Sequence, residues 1–125
     1  MCFDRQDIFD RALAHLRAQG KPALNGDGPD CLYRTPEGLK CAIGGLIPDM
    51  RYHPGLENSP ASAPDVIEAM GYSYDDLSDD DTRFLRSLQI KLHDYPARCW
   101  SDFLELVEEG AAQVAERWEL TYAPA

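Results

Sequence analysis

Long hydrophobic runs are missing from this sequence of 125 residues. No stretch approaches the roughly 20 consecutive apolar residues that a membrane-spanning helix needs. Residues 1–7 turn polar almost at once and lack the basic-then-apolar order of a secretory signal. We therefore expect a cytoplasmic protein with one domain over residues 1–125. Its hydrophobic content of 44% is ordinary for a globular chain.

Closely spaced pairs of cysteine and histidine are missing as well. The sequence holds no CxxC, HxxxH or HExxH pattern, and Cys31, Cys41 and His53 are too far apart for the ligand pairs of structural zinc. We predict no metal site and no cofactor. Without a secretory signal, the four cysteines, which include Cys2 and Cys99, are expected to be reduced and mostly buried.

Positive charge is scarce in the second half of the chain. Residues 1–60 carry 8 acidic and 7 basic side chains, whereas residues 61–125 carry 14 acidic and 5 basic ones, so most of the net charge of −10 lies in one half. An acidic surface repels nucleic acid, whose phosphates bind lysine and arginine. It attracts proteins with basic grooves. The expected partner is therefore a protein with a basic surface, and neither nucleic acid nor a membrane.

Apolar residues at helical spacing predict a mainly α fold of class α+β, with about four helices packed with one short β-hairpin. The first helix is expected over residues 5–19, between an Asp4 N-cap and a Gly20 stop. A short helix over residues 63–70 would be capped by Ser62, and another would begin after Ser78. The apolar stripe of the helix after Ser78 contains Phe84, Leu85, Leu88 and Leu92. The stripe of the last helix contains Trp100, Phe103, Leu104, Val107, Ala111, Val114 and Trp118.

The hairpin is predicted in the N-terminal half, residues 1–60, before the acidic helical half, residues 61–125. Residues 31–34 and 39–42 flank Thr-Pro-Glu-Gly at residues 35–38, and proline followed by glycine favours a four-residue turn. Residues 42–47 would form a short buried helical turn, and residues 20–30 a loop rich in glycine and proline.

Acidic side chains recur in two places of the second half. Ser78 followed by three aspartates is typical of a helix N-terminus, and an exposed charged face is the ordinary explanation of the acids that follow. The alternative is a row of carboxylates that imitates phosphates and enters a basic groove. The candidate partner-binding residues are Tyr72, Tyr74, Asp75, Asp76, Asp79, Asp80, Asp81, Asp102, Glu105, Glu108 and Glu109.

Cys41 is the candidate for thiol chemistry. It precedes Gly44 and Gly45, whose backbone N–H groups could bind an oxyanion, and three histidines elsewhere are candidate bases. No known nucleophile signature surrounds it. A small buried core cysteine explains the position equally well, so we predict that the protein is not an enzyme.

Two stretches carry a resemblance. Residues 31–34 read Cys-Leu-Tyr-Arg, and residues 38–49 read Gly-Leu-Lys-Cys-Ala-Ile-Gly-Gly-Leu-Ile-Pro-Asp, followed by Tyr52. The chain resembles a group of small proteins encoded by phages and prophages over residues 5–57. It departs from their pattern at Gly45, where the group has cysteine, and at Met50, where it has glutamate. The resemblance implies a shared fold of the first half rather than an activity.

Small acidic phage proteins include many anti-CRISPR proteins, which bind a Cas effector or nuclease and block its access to nucleic acid. By this analogy we expect an inhibitor of a host defence system that binds its target through an acidic face. Two alternatives remain open at this point. One is a thiol-dependent enzyme centred on Cys41, and the other is an accessory or structural phage protein. The chain would be a monomer, or a homodimer formed through its last helix.

Overall fold

The computed structural model describes residues 3–24, 31–98 and 100–124. Cys2, Cys99 and the part of the predicted loop that spans residues 25–30 lie outside these ranges. The described elements are α1 (Arg5–Gln19), α2 (Pro64–Ala69), α3 (Asp79–Gln89), a π-helix (Ile90–Asp94) and α4 (Phe103–Trp118), with short 3₁₀ turns between them. None of these helices is both long and apolar enough to cross a membrane.

The ends of α1 follow from local chemistry. The Asp4 carboxylate accepts hydrogen bonds from the backbone N–H groups of Gln6 and Asp7 at 3.0 and 3.3 Å, which satisfies donors that the helix leaves free. Gly20 ends the helix in the left-handed region at φ 74°, and its N–H donates to the carbonyl of Leu16. The predicted helix over residues 5–19 is confirmed.

Helix α3 begins with a capping box, because Ser78 and Asp81 each accept the other's backbone N–H at 3.1 Å. The short helix α2 is also present, but its N-cap is Ala63, whose side chain offers no hydrogen bond. The predicted cap at Ser62 is therefore wrong. Pro64 begins α2 instead, since its ring already fixes a helical φ angle.

The predicted β-hairpin is wrong, since the described ranges contain no strand and only two isolated bridges, one of them between Arg34 and Lys40. The turn itself forms, with the N–H of Thr35 donating to the carbonyl of Leu39 at 2.8 Å. The ladder does not extend because the chain enters helical turns directly after Cys41. The N–H groups of residues 33 and 34 donate to the carboxylate of Glu57 rather than to a partner strand.

Helix α4 runs antiparallel to α3 and the π-helix. Near one end of the pair, the rings of Phe84 and Trp118 meet edge to face with centroids 5.6 Å apart. Toward the other end, Gly110 lies so close to the backbone of Lys91 that a Cβ atom on Gly110 would overlap the carbonyl oxygen. Phe84 contacts residue 118 and the later Lys91 contacts the earlier residue 110, so the two segments run in opposite directions.

Helix α4 also runs antiparallel to α1. Arg17, near the end of α1, pairs with Glu108 near the start of α4 at 2.6 Å. Gln6, at the other end of α1, receives the N–H of Thr121 at 2.8 Å. Consequently α1 and α3 run parallel to each other, and α4 packs against both.

The core between these helices contains most of the predicted apolar stripe. Phe84, Leu85, Leu88 and Leu92 are fully buried, as are Val107 and Ala111, while Phe103 and Val114 are almost so. Leu104 departs from the prediction, with 40% of its surface exposed. The apolar face of α4 is thus covered within one chain, so core packing accounts for the heptad-like spacing that also suggested a dimer.

Candidate protein-binding surface

The predicted partner-binding residues lie at two opposite ends of α4 rather than on one continuous face. Arg5 connects the first group to the end of α4. It pairs with Asp81 of α3 at 2.8 Å, and its guanidinium carbon lies 5.1 Å from the ring centroid of Trp118 in α4. The acidic start of α3 is therefore next to the end of α4. Glu105 lies near the start of α4, about 20 Å away along the helix axis.

The group around the start of α3 is partly free and partly structural. Asp75, Asp76 and Asp79 are exposed and form no hydrogen bond or ion pair through their carboxylates within the described ranges. Asp80 makes only an exposed ion pair with Arg83 at 3.2 Å, which contributes little. Asp81 serves the fold, since it caps α3 and pairs with Arg5.

The two tyrosines of this group differ. Tyr72 is only 6% exposed, and its ring packs edge to face on Phe3 with centroids 5.2 Å apart. An aromatic residue in such a core contact has little surface to offer, and the partner contact of Tyr72 stays a prediction. Tyr74, at 37% exposed, keeps an accessible ring.

Glu108 faces the inside of the molecule. Its two carboxylate oxygens accept from Nε and Nη2 of Arg17 at 2.7 and 2.6 Å, and one also accepts from the hydroxyl of Tyr122 at 2.7 Å. The hydrogen bond from Glu108 raises the pKa of Arg17, while burial, followed by the bond to Glu108, raises the pKa of Tyr122. Glu108 therefore ties α4 to α1, and its role as a partner contact stays a prediction.

A different row of acids faces solvent. Successive helix residues turn by about 100°, which brings Glu105, Glu109 and Glu116 within a sector of about 40° on α4, turned by about 60–100° from Glu108. All three are exposed and have no partner among the described residues. Asp102 is also exposed and lies in the turn just before α4. We call these four residues the acidic stripe. The sequence contains the signal for Glu116, which lies seven residues after Glu109, but the prediction omitted it.

A groove runs beside the acidic stripe, between α4 and the π-helix. It has a volume of about 270 Å³ and is lined by Lys91, Tyr95, Leu106, Glu109, Gly110 and Gln113. Tyr95 is 57% exposed, although it follows a buried segment. The sequence did not predict this groove. The groove depends on the π-helix, and no local sequence pattern indicates the extra residue per turn of that helix. We call it the α4 groove.

Cys41 does not have the surroundings of a nucleophile. It is 1% exposed, its sulfur accepts the N–H of Gly44 at 3.2 Å, and burial raises the pKa of its thiol well above the ordinary range. A catalytic cysteine needs the opposite shift. One candidate base, His15, directs Nε2 to the carbonyl of Lys40 at 3.0 Å. The environment of Cys41 is that of a small core residue.

A second group of polar side chains lies around His93, which is fully buried. One donor atom each of Cys31, His93 and Asp94 lie within 4.8 Å of one another, a grouping that the spacing of these residues in the sequence did not reveal. Nε2 of the imidazole accepts the N–H of Ala23 at 2.8 Å, so its proton sits on Nδ1 and points to Asp94 at 3.1 Å.

Both ring nitrogens of His93 are thereby engaged. A metal ion on either nitrogen, or a proton accepted from Cys31, would break one of these bonds. The arrangement instead connects the π-helix to the segment after α1 by a buried hydrogen bond. We assign the group to the fold.

The residues that carry the phage-protein resemblance also form a structural network. Arg34 and Lys40 both approach the Asp49 carboxylate, at 3.0 and 3.7 Å, and Arg34 lies 4.6 Å from the ring centroid of Tyr52. The hydroxyl of Tyr52 donates to Glu57 at 2.6 Å. Burial, followed by this bond to Glu57, raises the pKa of Tyr52 to about 12. The motif residues therefore hold residues 31–57 in shape.

Comparison of the chain with models of protein families, with curated protein sequences and with solved structures gives no match in any of the three.

Proposed function

We propose that this protein is a phage or prophage inhibitor of a host defence system, of the anti-CRISPR kind, that binds a Cas effector or nuclease through an acidic surface. The observation that supports the proposal most is the acidic stripe. Its carboxylates are exposed, and Glu105, Glu109 and Glu116 have no basic partner within the described chain. The exposed acids at the start of α3 add a second negative region.

The spacing of the stripe suits a groove made for nucleic acid. Glu105 and Glu109 are separated by a rise of about 6 Å, and the row from Glu105 to Glu116 extends over about 17 Å. A basic groove that normally holds phosphates presents lysine and arginine side chains along its length. Opposite charges speed the encounter of the two proteins, and the bound inhibitor then excludes nucleic acid from the groove.

The experiment is a phage-interference assay in bacteria that carry defined CRISPR–Cas systems. The protein is expressed from a plasmid, and a phage that the system targets is plated on the lawn. We expect wild type to restore plaques with at least one system, and the triple variant Glu105→Gln, Glu109→Gln, Glu116→Gln to lose most of that effect.

The control is the double variant Glu37→Gln, Glu68→Gln, which removes exposed carboxylates outside α4. It should behave as wild type. Equal activity of the triple variant and wild type would contradict the role of the acidic stripe. Absence of protection by wild type across the systems tested would contradict the anti-CRISPR assignment itself.

A further inference from the structure

The α4 groove has the size and lining of a site for one long side chain. Its volume of about 270 Å³ lies below the range of about 300–1,000 Å³ that is usual for pockets holding drug-sized ligands. Leu106 contributes an apolar side chain to the lining, Tyr95 an exposed aromatic ring, and Glu109 a carboxylate. Such a mixture suits a side chain with an apolar stem and a cationic head.

The charges around the groove determine whether it attracts a positively or a negatively charged side chain. The acidic stripe borders the groove, and Glu109 belongs to both. Among the described residues, Lys91 lies in the lining and Arg98 lies beside the ring of Tyr95. Helical periodicity places Glu105 and Glu116 on the same side of α4 as Glu109, so three carboxylates outnumber these two cations. A cationic side chain is therefore attracted into the groove, and an anionic one is repelled.

The aromatic face favours arginine over lysine. The guanidinium carbon of Arg98 lies 5.9 Å from the ring centroid of Tyr95, so an incoming cation has to displace Arg98 or use the other face of the ring. Arginine stacks flat on an aromatic ring and can form two parallel hydrogen bonds with one carboxylate, whereas the ammonium of lysine acts on the ring and on the carboxylate only as a point charge. Tyr95 and Glu109 together offer both kinds of contact.

We propose that the α4 groove receives an arginine side chain of the partner protein, with its stem on Leu106, its guanidinium on Tyr95 and its charge paired with Glu109. This rests on the proposed function, because it assumes that the acidic stripe faces a basic protein. The groove supplies the central anchor of the interface, and the stripe supplies the surrounding electrostatic attraction.

The test compares two fluorescein-labelled peptides of equal charge, nona-arginine and nona-lysine, by fluorescence anisotropy at 50 and 200 mM NaCl. We expect wild type to bind nona-arginine about two- to fivefold more tightly than nona-lysine, which is the gain of an exposed cation–π contact. Tyr95→Leu keeps an apolar surface without the ring and should reduce this preference, while the paired hydrogen bonds to Glu109 remain possible. Lys91→Gln should strengthen the binding of both peptides.

The control is Tyr74→Leu, which removes an exposed ring at the far end of α4 and should keep the preference for arginine. Equal affinity of wild type for the two peptides, or an unchanged preference in Tyr95→Leu, would contradict the groove proposal alone. The triple variant of the acidic stripe tests the proposed function separately. If it binds both peptides as tightly as wild type and with the same salt dependence, the electrostatic basis of the proposed function fails.

Discussion

Two adjacent glutamates show how much depends on single positions. Glu108 and Glu109 have the same chemistry, yet one accepts three hydrogen bonds from Arg17 and Tyr122 whereas the other faces solvent beside the α4 groove. The helical turn of about 100° per residue separates them. Only the position of α1 relative to α4 decides which of the two is used inside the molecule.

We predict that Glu108→Gln destabilises the protein by about 2 kcal/mol, because hydrogen bonds to charged groups contribute roughly 1.5–3 kcal/mol and the guanidinium of Arg17 would lose its counter-charge. Glu109→Gln should change the free energy of unfolding by no more than about 0.5 kcal/mol. Urea unfolding monitored by circular dichroism measures both values. Equal destabilisation by the two substitutions would contradict the assignment of Glu108 to the fold.

At the scale of elements, the contact of α4 with the π-helix depends on Gly110. Glycine inside a helix is unfavourable, and replacement by alanine would normally stabilise a helix by about 1 kcal/mol. Here an added Cβ would overlap the carbonyl oxygen of Lys91, which is backbone and has little room to shift. Close packing and helix propensity therefore predict opposite signs for the same substitution.

We predict that Gly110→Ala destabilises the protein, by about 2 kcal/mol or more, since overpacking typically costs 1–3 kcal/mol. The control is Ala112→Gly on the exposed side of α4, which should cost about 1 kcal/mol from helix propensity alone. Thermal unfolding followed by circular dichroism compares the variants. A rise in the melting temperature of Gly110→Ala would show that α4 and the π-helix do not pack as closely as described.

The sequence predicted those elements whose signals are local. The ends of α1, the Ser78 cap and the buried stripe of α3 all arise from residues a few positions apart, and they are confirmed. The hairpin was wrong because Glu57, more than twenty residues away, satisfies the backbone at Tyr33 and Arg34. The site prediction included Glu108 for the same kind of reason, since the sequence does not show which helix face meets α1.

At the scale of the whole molecule, charge is unevenly balanced. The net charge is −10. Arg5 and Arg17 already form ion pairs within the molecule, with Asp81 and Glu108 respectively. The exposed acids are left to repel one another, which opposes compactness. A surface that attracts a basic partner is therefore expected to lower the stability of the free protein.

We predict that the melting temperature rises with NaCl between 20 and 200 mM, because screening weakens this repulsion. The triple variant of the acidic stripe should melt about 1–3 °C above wild type at 20 mM NaCl, since like charges four residues apart on a helix cost roughly 0.2–0.5 kcal/mol per pair. The difference should shrink at 200 mM. A melting temperature of wild type that falls with salt would indicate that favourable ion pairs outweigh the repulsion.

The π-helix Ile90–Asp94 accommodates one residue more than a continuous α-helix would between the same neighbours. Removing that extra residue would rotate the chain after it by about 100° relative to α3, so the buried position of His93 and the exposed position of Tyr95 would not both be kept. The burial of the His93 imidazole and the exposure of the Tyr95 ring thus both depend on the extra residue in this helical turn. A related sequence without this extra residue is therefore expected to lack both the buried imidazole and the exposed ring.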